Sequence, residues 1–273
     1  MNLLRKLFFI LILLVIFMFP SNSESKIVFM QKKAENQYTA ISFNIHRGTT
    51  KAGVPSLHHI SRLLQSENSD FIALQEVDRF HIRSGFYDQI KWLADELEMF
   101  YVYGTNMRYG PVEYGNGILS KYPILDSGRI DLAYETEPRS LLWARVKTDH
   151  GDLIITSIHL GLDTKKRAEH FSMIEEFAAE QENPLMLMGD FNTLPDHPLF
   201  IRFRVNVTNQ WVHEEIPTYI RRQQPIQIDY ILTRGLKEMD SYSIPTNVSD
   251  HFPIILEFKM DDQPREPILG EHI

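Results

Sequence analysis

Pro184-Leu185-Met186-Leu187-Met188-Gly189-Asp190-Phe191-Asn192 is the stretch from which the rest of the chain is read. The apolar run Leu185 to Met188 is too short for a helix and is bounded by Pro184 and Gly189, so it predicts a strand buried on both faces. Gly189 lets the backbone turn where a Cβ would obstruct, and Asp190 and Asn192, two residues apart, then point the same way from an extended backbone. A carboxylate beside a carboxamide at a strand end suits a hard cation and the phosphate oxygen next to it. The plainer alternative is a strand followed by an Asx turn. Recurrence favours chemistry: Asn44, Glu76, His159, Asp229, Asp250 and His251 each lie directly after or inside an apolar, strand-like run.

Working outward, the first third reads as β-α-β-α-β. Strands are predicted at Tyr38 to Ile45, Phe71 to Gln75 and Tyr101 to Gly104, with helices over Ser56 to Gln65 and Asp88 to Leu97. Short strands follow at Gly117 to Ser120, Ile124 to Ile130, Leu141 to Thr148 and Leu153 to His159, separated by turn signals, which predicts an antiparallel meander. A helix over Lys165 to Glu180 leads into the Leu185 strand, and Ile226 to Leu232 and Phe252 to Phe258 are strands again. Two blocks of strands with helices before and between them imply sheet packed on sheet, helices outside, and strand ends from both sheets along one rim.

At the N-terminus Arg5 and Lys6 precede the apolar run Leu7 to Phe19, then Pro20 and a small polar segment, the pattern of a secretory signal over residues 1–25. The run is shorter than the roughly 20 residues that span a bilayer, which favours a cleaved leader over an anchor and a secreted or cell-surface protein. The chain has no cysteine, so the exported product carries no disulfide. Residues 36–260 read as one domain, with no linker or repeat, and 261–273 as a disordered tail. The net charge of −8, about −9 without the leader, argues against binding nucleic acid through a broad basic surface, although not through a cation-loaded cleft.

In chain order, Ser42-Phe43-Asn44-Ile45, Leu74-Gln75-Glu76-Val77, Gly115-Asn116-Gly117-Ile118-Leu119-Ser120, Pro138-Arg139-Ser140, Ile158-His159-Leu160, Gly189-Asp190-Phe191-Asn192, Ile228-Asp229-Tyr230-Ile231 and Ser249-Asp250-His251-Phe252-Pro253 resemble the motif series of the endonuclease/exonuclease/phosphatase superfamily. The resemblance runs from about Ala40 to Phe258. It implies an α+β fold, a four-layer αββα sandwich of two mainly antiparallel sheets flanked by helices, and hydrolysis of phosphate esters with Mg²⁺ or Mn²⁺. Glu76, an anionic oxygen donor at a strand end, is the first metal ligand on chemistry and resemblance alike, with Asn44 supporting it and Asp250 supplying a second carboxylate. His251 resembles the catalytic histidine and Asp229 the aspartate that orients it. Asp190 orients or deprotonates the attacking water, and the choice of base between Asp190 and His251 stays open. His159 resembles the second histidine of the deoxyribonuclease and sphingomyelinase branches; with Asn192 it would offset phosphoryl charge. Arg139 and Asn116 are phosphate clamps, and Arg79, His81 and Arg83, after Glu76, are candidate substrate contacts.

These readings predict a secreted, divalent-metal-dependent phosphodiesterase, monomeric and without a protein partner. A nuclease is favoured by His159 together with His251. The alternative is a phospholipid (sphingomyelinase-like) phosphodiesterase or phosphatase, favoured by the acidic charge and export. No exposed aromatic hairpin for membrane docking is evident, though Trp211 and Tyr219 lie in a poorly patterned stretch. A non-catalytic binding module is disfavoured because every expected position is occupied.

Overall fold

The computed structural model describes residues 36–132, 137–208 and 216–260, all within one compact unit, Ala34–Ile273. The leader, the tail and Trp211 lie outside the described residues.

Six strands form the first sheet: β1 (Gln37–Asn44), β2 (Phe71–Arg79), β3 (Phe100–Tyr109), β4 (Val112–Ser120), β12 (Leu236–Ser243) and β13 (Ile254–Met260), in the order β12-β13-β1-β2-β4-β3. The second holds β5 (Ile124–Asp131), β6 (Ser140–Thr148), β7 (Gly151–His159), β8 (Leu185–Asp190) and β11 (Asp229–Arg234), in the order β11-β8-β7-β6-β5. Among the described residues, only β1 with β2 and β7 with β8 pair in parallel. A short hairpin, β9 (Tyr219–Arg221) with β10 (Gln224–Ile226), stands apart from both sheets.

Alternation along the strands builds the layers. Ala40, Phe71 and Ile118 of the first sheet pack on Leu142, Ile155, Met186 and Met188 of the second, and these form the central core. On the first sheet's outer face, Ile41, Ile72 and Leu74 take the apolar sides of α1 (Leu57–Ser66) and α2 (Gln89–Leu97). On the second sheet's outer face, Leu185, Leu187 and Tyr230 pack against α3 (Thr164–Ala179) and α4 (Pro198–Val207). The result is the expected αββα sandwich.

Three expectations are corrected. Gly117 to Ser120 does not join the meander: it is the end of β4, between β2 and β3 in the first sheet, and only β5, β6 and β7 form the meander. Gly189 is no turn. It stays inside β8, opposite Ile158, where an added Cβ would lie 2.0 Å from the Ile158 carbonyl oxygen, so glycine serves close strand approach. Finally, the predicted strand Ile226 to Leu232 divides, with Ile226 ending β10 and Asp229 opening β11, while α4, β9 and β12 come from stretches without a clear period in the sequence.

Candidate active site

The second sheet delivers its polar residues in one row. Ser140 faces His159, His159 faces Asp190, and Asp190 faces Asp229 across four successive strands, β6-β7-β8-β11. Because neighbouring strands lie about 4.8 Å apart, in-register strand ends bring these side chains together with no loop involved. Asp190 is the centre. Its Oδ1 accepts the Asn192 N–H at 2.9 Å and its Oδ2 accepts Asn44 Nδ2 at 3.2 Å. That same Oδ2 lies 3.6 Å from His159 Nε2 and 3.8 Å from His251 Nε2.

His251 arrives from the segment before β13 and lies with its Nδ1 2.9 Å from Asp229 Oδ2. Thr218 ties the two together: its hydroxyl accepts the Ile228 and Asp229 N–H groups, each at 3.1 Å, and its carbonyl accepts the Phe252 N–H at 2.7 Å. The Tyr219 ring then covers the His251 ring at 4.8 Å. Neither Thr218 nor Tyr219 was singled out as part of the site from the sequence, because their hairpin has no periodicity of its own.

The first sheet reaches the same rim through irregular backbone. Pairing of β2 with β4 slips between Leu74 and Val77, and Glu76 sits in that bulge with φ 57°, so the strand runs on to Arg79 while the Glu76 side chain is re-aimed. Asn44, the last residue of β1, donates through Nδ2 to Glu76 Oε1 at 3.2 Å as well as to Asp190, and its Oδ1 accepts the His46 N–H at 3.1 Å. It joins the two sheets' contributions. The turn His46–Gly48 follows. His46 Nδ1 stands 4.0 Å from Asp250 Oδ1, and Arg47 Nε stands 3.9 Å from Glu76 Oε2.

The remaining candidates divide. Arg139 is buried, with Nη1 2.9 Å from the His159 ring nitrogens and 3.1 Å from Glu137 Oε1, so it backs the histidine. Asn192 donates Nδ2 to the Leu160 carbonyl at 2.9 Å. Asn116 is not brought to the cluster. It is fully buried between the sheets, where Nδ2 donates to the Ser140 and Ser157 carbonyls at 3.2 Å, so it braces the rim from beneath and clamps no phosphate. Arg79 is engaged by Asp88 and Glu113, Arg83 by Asp78, and His81 caps the turn at Arg83. Their side chains hold the loop after Glu76 in shape.

Burial and charge set the protonation states. Burial pushes the Asp190 carboxyl up to about 7, with the Asp229 charge adding to the rise and His251 and the Asn192 N–H opposing it. His159 is driven well below 6.5 by burial, then by the Arg139 guanidinium and by His251. Burial also favours neutral His251, yet Asp229, Asp190 and Asp250 outweigh it and raise the imidazole to about 10. A neutral imidazole and an imidazolium therefore flank one carboxylate.

A divalent cation has two sets of donors to choose from. Among the described residues, ligating atoms of Asp190, Asp229 and His251 all lie within 4.8 Å of one another, and Asp229 Oδ1 is buried without a hydrogen-bond partner. Glu76 and Asp250, the part-exposed carboxylates that face Arg47 and His46, offer the other, all-oxygen choice of donors. A hard cation fits the oxygen set better, because the first includes an imidazole nitrogen already engaged by Asp229.

Residues 41–251 match the Endonuclease/Exonuclease/phosphatase family. The uncharacterized protein YbhP of Escherichia coli (strain K12) is 25% identical over 251 residues, covering 82% of this chain and 96% of that one. An endonuclease/exonuclease/phosphatase from Beutenbergia cavernae DSM 12333 superposes with a TM-score of 0.65 at 17% identity, over 83% of this chain and 72% of that one. A mannosyl-6-phosphatase from Bacteroides thetaiotaomicron VPI-5482 superposes with a TM-score of 0.60 at 18% identity, over 81% of this chain and 99% of that one. These two structural likenesses are of fold.

Proposed function

This chain belongs to the endonuclease/exonuclease/phosphatase family, whose members are hydrolytic phosphoesterases, and on that premise we propose that it is a divalent-metal-dependent phosphodiesterase. The observation that carries the reading is Asp190, which strand register sets beside His159 and which His251, held by Asp229, faces from the other side. In the proposed reaction water attacks phosphorus, its proton passes to Asp190 Oδ2, and the bond to the leaving oxygen breaks to release an oxyanion that solvent protonates. Asp229 holds His251 by Nδ1, so that Nε2–H points into the cleft and stabilises the charge growing on the phosphoryl oxygens. His159, neutral and backed by Arg139, orients the same group from the other side. Glu76 and Asp250, with Asn44 steadying Glu76, would hold Mg²⁺ or Mn²⁺, which would supply the remaining positive charge.

Nucleic acid is the substrate class favoured by the paired histidines. A phospholipid headgroup is the second reading, favoured by the loop after Glu76, where Phe80, Ile82, Phe86 and Tyr87 are 40%, 73%, 63% and 39% exposed. Export by the N-terminal leader belongs to the same proposal. Purified protein with Mg²⁺ or Mn²⁺ should be offered plasmid DNA, RNA, sphingomyelin and a phosphoinositide side by side. Cleavage of DNA or RNA that stops with chelator supports the first reading, and turnover confined to a lipid selects the second. Hydrolysis that survives complete metal removal contradicts both.

A further inference from the structure

His46 and Arg47 are consecutive non-glycine residues with φ 45° and 61°, a conformation that costs free energy at each position and persists only where the surroundings enforce it. Gln89 enforces it here. This buried amide donates to the Arg47 carbonyl at 2.7 Å and accepts the Asp78 N–H at 2.8 Å, fastening the turn to β2 beside the Glu76 bulge. Gly48 has no room for a side chain, since a Cβ would meet Gln89 Nε2 at 2.4 Å. What the strained turn displays is a cation: Arg47 reaches Glu76 with Nε and His46 Nε2 with Nη2, while His46 Nδ1 faces Asp250. The Arg47-His46 pair thus links the two carboxylates to which the metal is assigned above.

We propose that Arg47 is a built-in counter-ion of Glu76, which a divalent cation displaces and which then grips the phosphoryl oxygens of the substrate. The strengths order the exchange. A guanidinium at 3.9 Å, with its side chain 32% exposed, makes a weak ion pair, whereas a divalent ion bonds a carboxylate oxygen directly. Once the carboxylate is taken, the guanidinium faces a like charge, and the nearest new anion is the substrate phosphate, which its planar fork of donors fits. The inference rests on the metal reading of Glu76, and it assigns Arg47 a role in substrate binding that the sequence motifs did not.

Two quantities must then move in opposite senses. In Arg47→Ala, calorimetric titration of the substrate-free protein with Mn²⁺ should show tighter binding, by about tenfold, because the competing cation is gone. At saturating Mn²⁺ the KM for bis(p-nitrophenyl) phosphate should rise about tenfold with kcat changed much less. Arg47→Met, which keeps the stem and removes the charge, should behave likewise, so the test survives if the alanine variant folds poorly. Arg47→Lys should keep near-native Mn²⁺ affinity while KM still rises, since the ammonium lacks the fork. Mn²⁺ binding that is unchanged or weaker in both Arg47→Ala and Arg47→Met overturns the proposal, provided Glu76→Gln has lost affinity. If Glu76→Gln binds Mn²⁺ as wild type does, the metal reading itself fails and takes this inference with it.

Discussion

The two sheets reach the same rim in different ways. The second sheet arrives with regular strands whose ends match in register, and His159, Asp190 and Asp229 are buried and mutually fixed. The first sheet arrives through a bulge and a left-handed turn, and Glu76, Arg47 and Asp250 are part-exposed and separated by about a van der Waals gap from their charged partners. Rigid, dry geometry suits proton transfer, where donor and acceptor distances must not drift. Open, weakly paired charges suit an exchangeable cation. On the proposed function, proton handling falls to the second sheet and charge handling to the first.

Breaking the second sheet should have the largest consequence. Asp229→Asn is expected to lower kcat by about 10²- to 10⁴-fold, because an amide facing His251 Nδ1 removes the charge that keeps the ring an imidazolium and can flip it. Its Mn²⁺ affinity should stay near wild type. Equal loss of Mn²⁺ affinity in Asp229→Asn and Glu76→Gln would erase the division and move the cation onto the buried Asp190, Asp229 and His251 set. Glu76→Gln is the mirror experiment with a smaller effect: Mn²⁺ binding weakens by about tenfold, and raising Mn²⁺ restores part of the rate. Wild-type activity at low metal would remove Glu76 from the ligands.

The smallest effect is read spectroscopically in chelator-treated protein. Histidine titration followed by NMR should find His159 neutral at pH 6.5 and His251 still protonated at pH 8, in keeping with burial of the first and the aspartates around the second. His251 holds its proton more tightly folded than unfolded, so its contribution to stability is full below about 6.5 and is lost as pH rises through about 10. The stability gap between wild type and His251→Gln should close over that range. A gap independent of pH would mean that Asp229 does not stabilise the imidazolium.

The sequence made the second sheet's share legible because apolar runs end at His159 and Asp190 and one begins directly after Asp229, and period-2 strands carry their terminal residues to one edge. The first sheet's share was legible only as residue types. Glu76 reads as a strand end, yet β2 continues to Arg79, and only a bulge, which leaves no periodic trace, turns the carboxylate into the cleft. Asn116 carries a motif signal but spends its amide on two carbonyls between the sheets. His46, Arg47 and Thr218 act through left-handed backbone and through hydrogen bonds to segments far away in sequence, which no local pattern announces. Gly189 was found for the wrong reason: the need was strand contact and the expectation was a turn.

The central claim is that His159 and His251 act together with Asp190 on one phosphoryl group. A double-mutant cycle tests it directly, with kcat measured on bis(p-nitrophenyl) phosphate at saturating Mn²⁺ for His159→Ala, His251→Ala and the pair. Two residues serving one transition state lose their effect together, so the double variant should be little slower than the poorer single one. Strictly multiplicative losses would contradict the account, because they would place at least one imidazole outside the reacting centre.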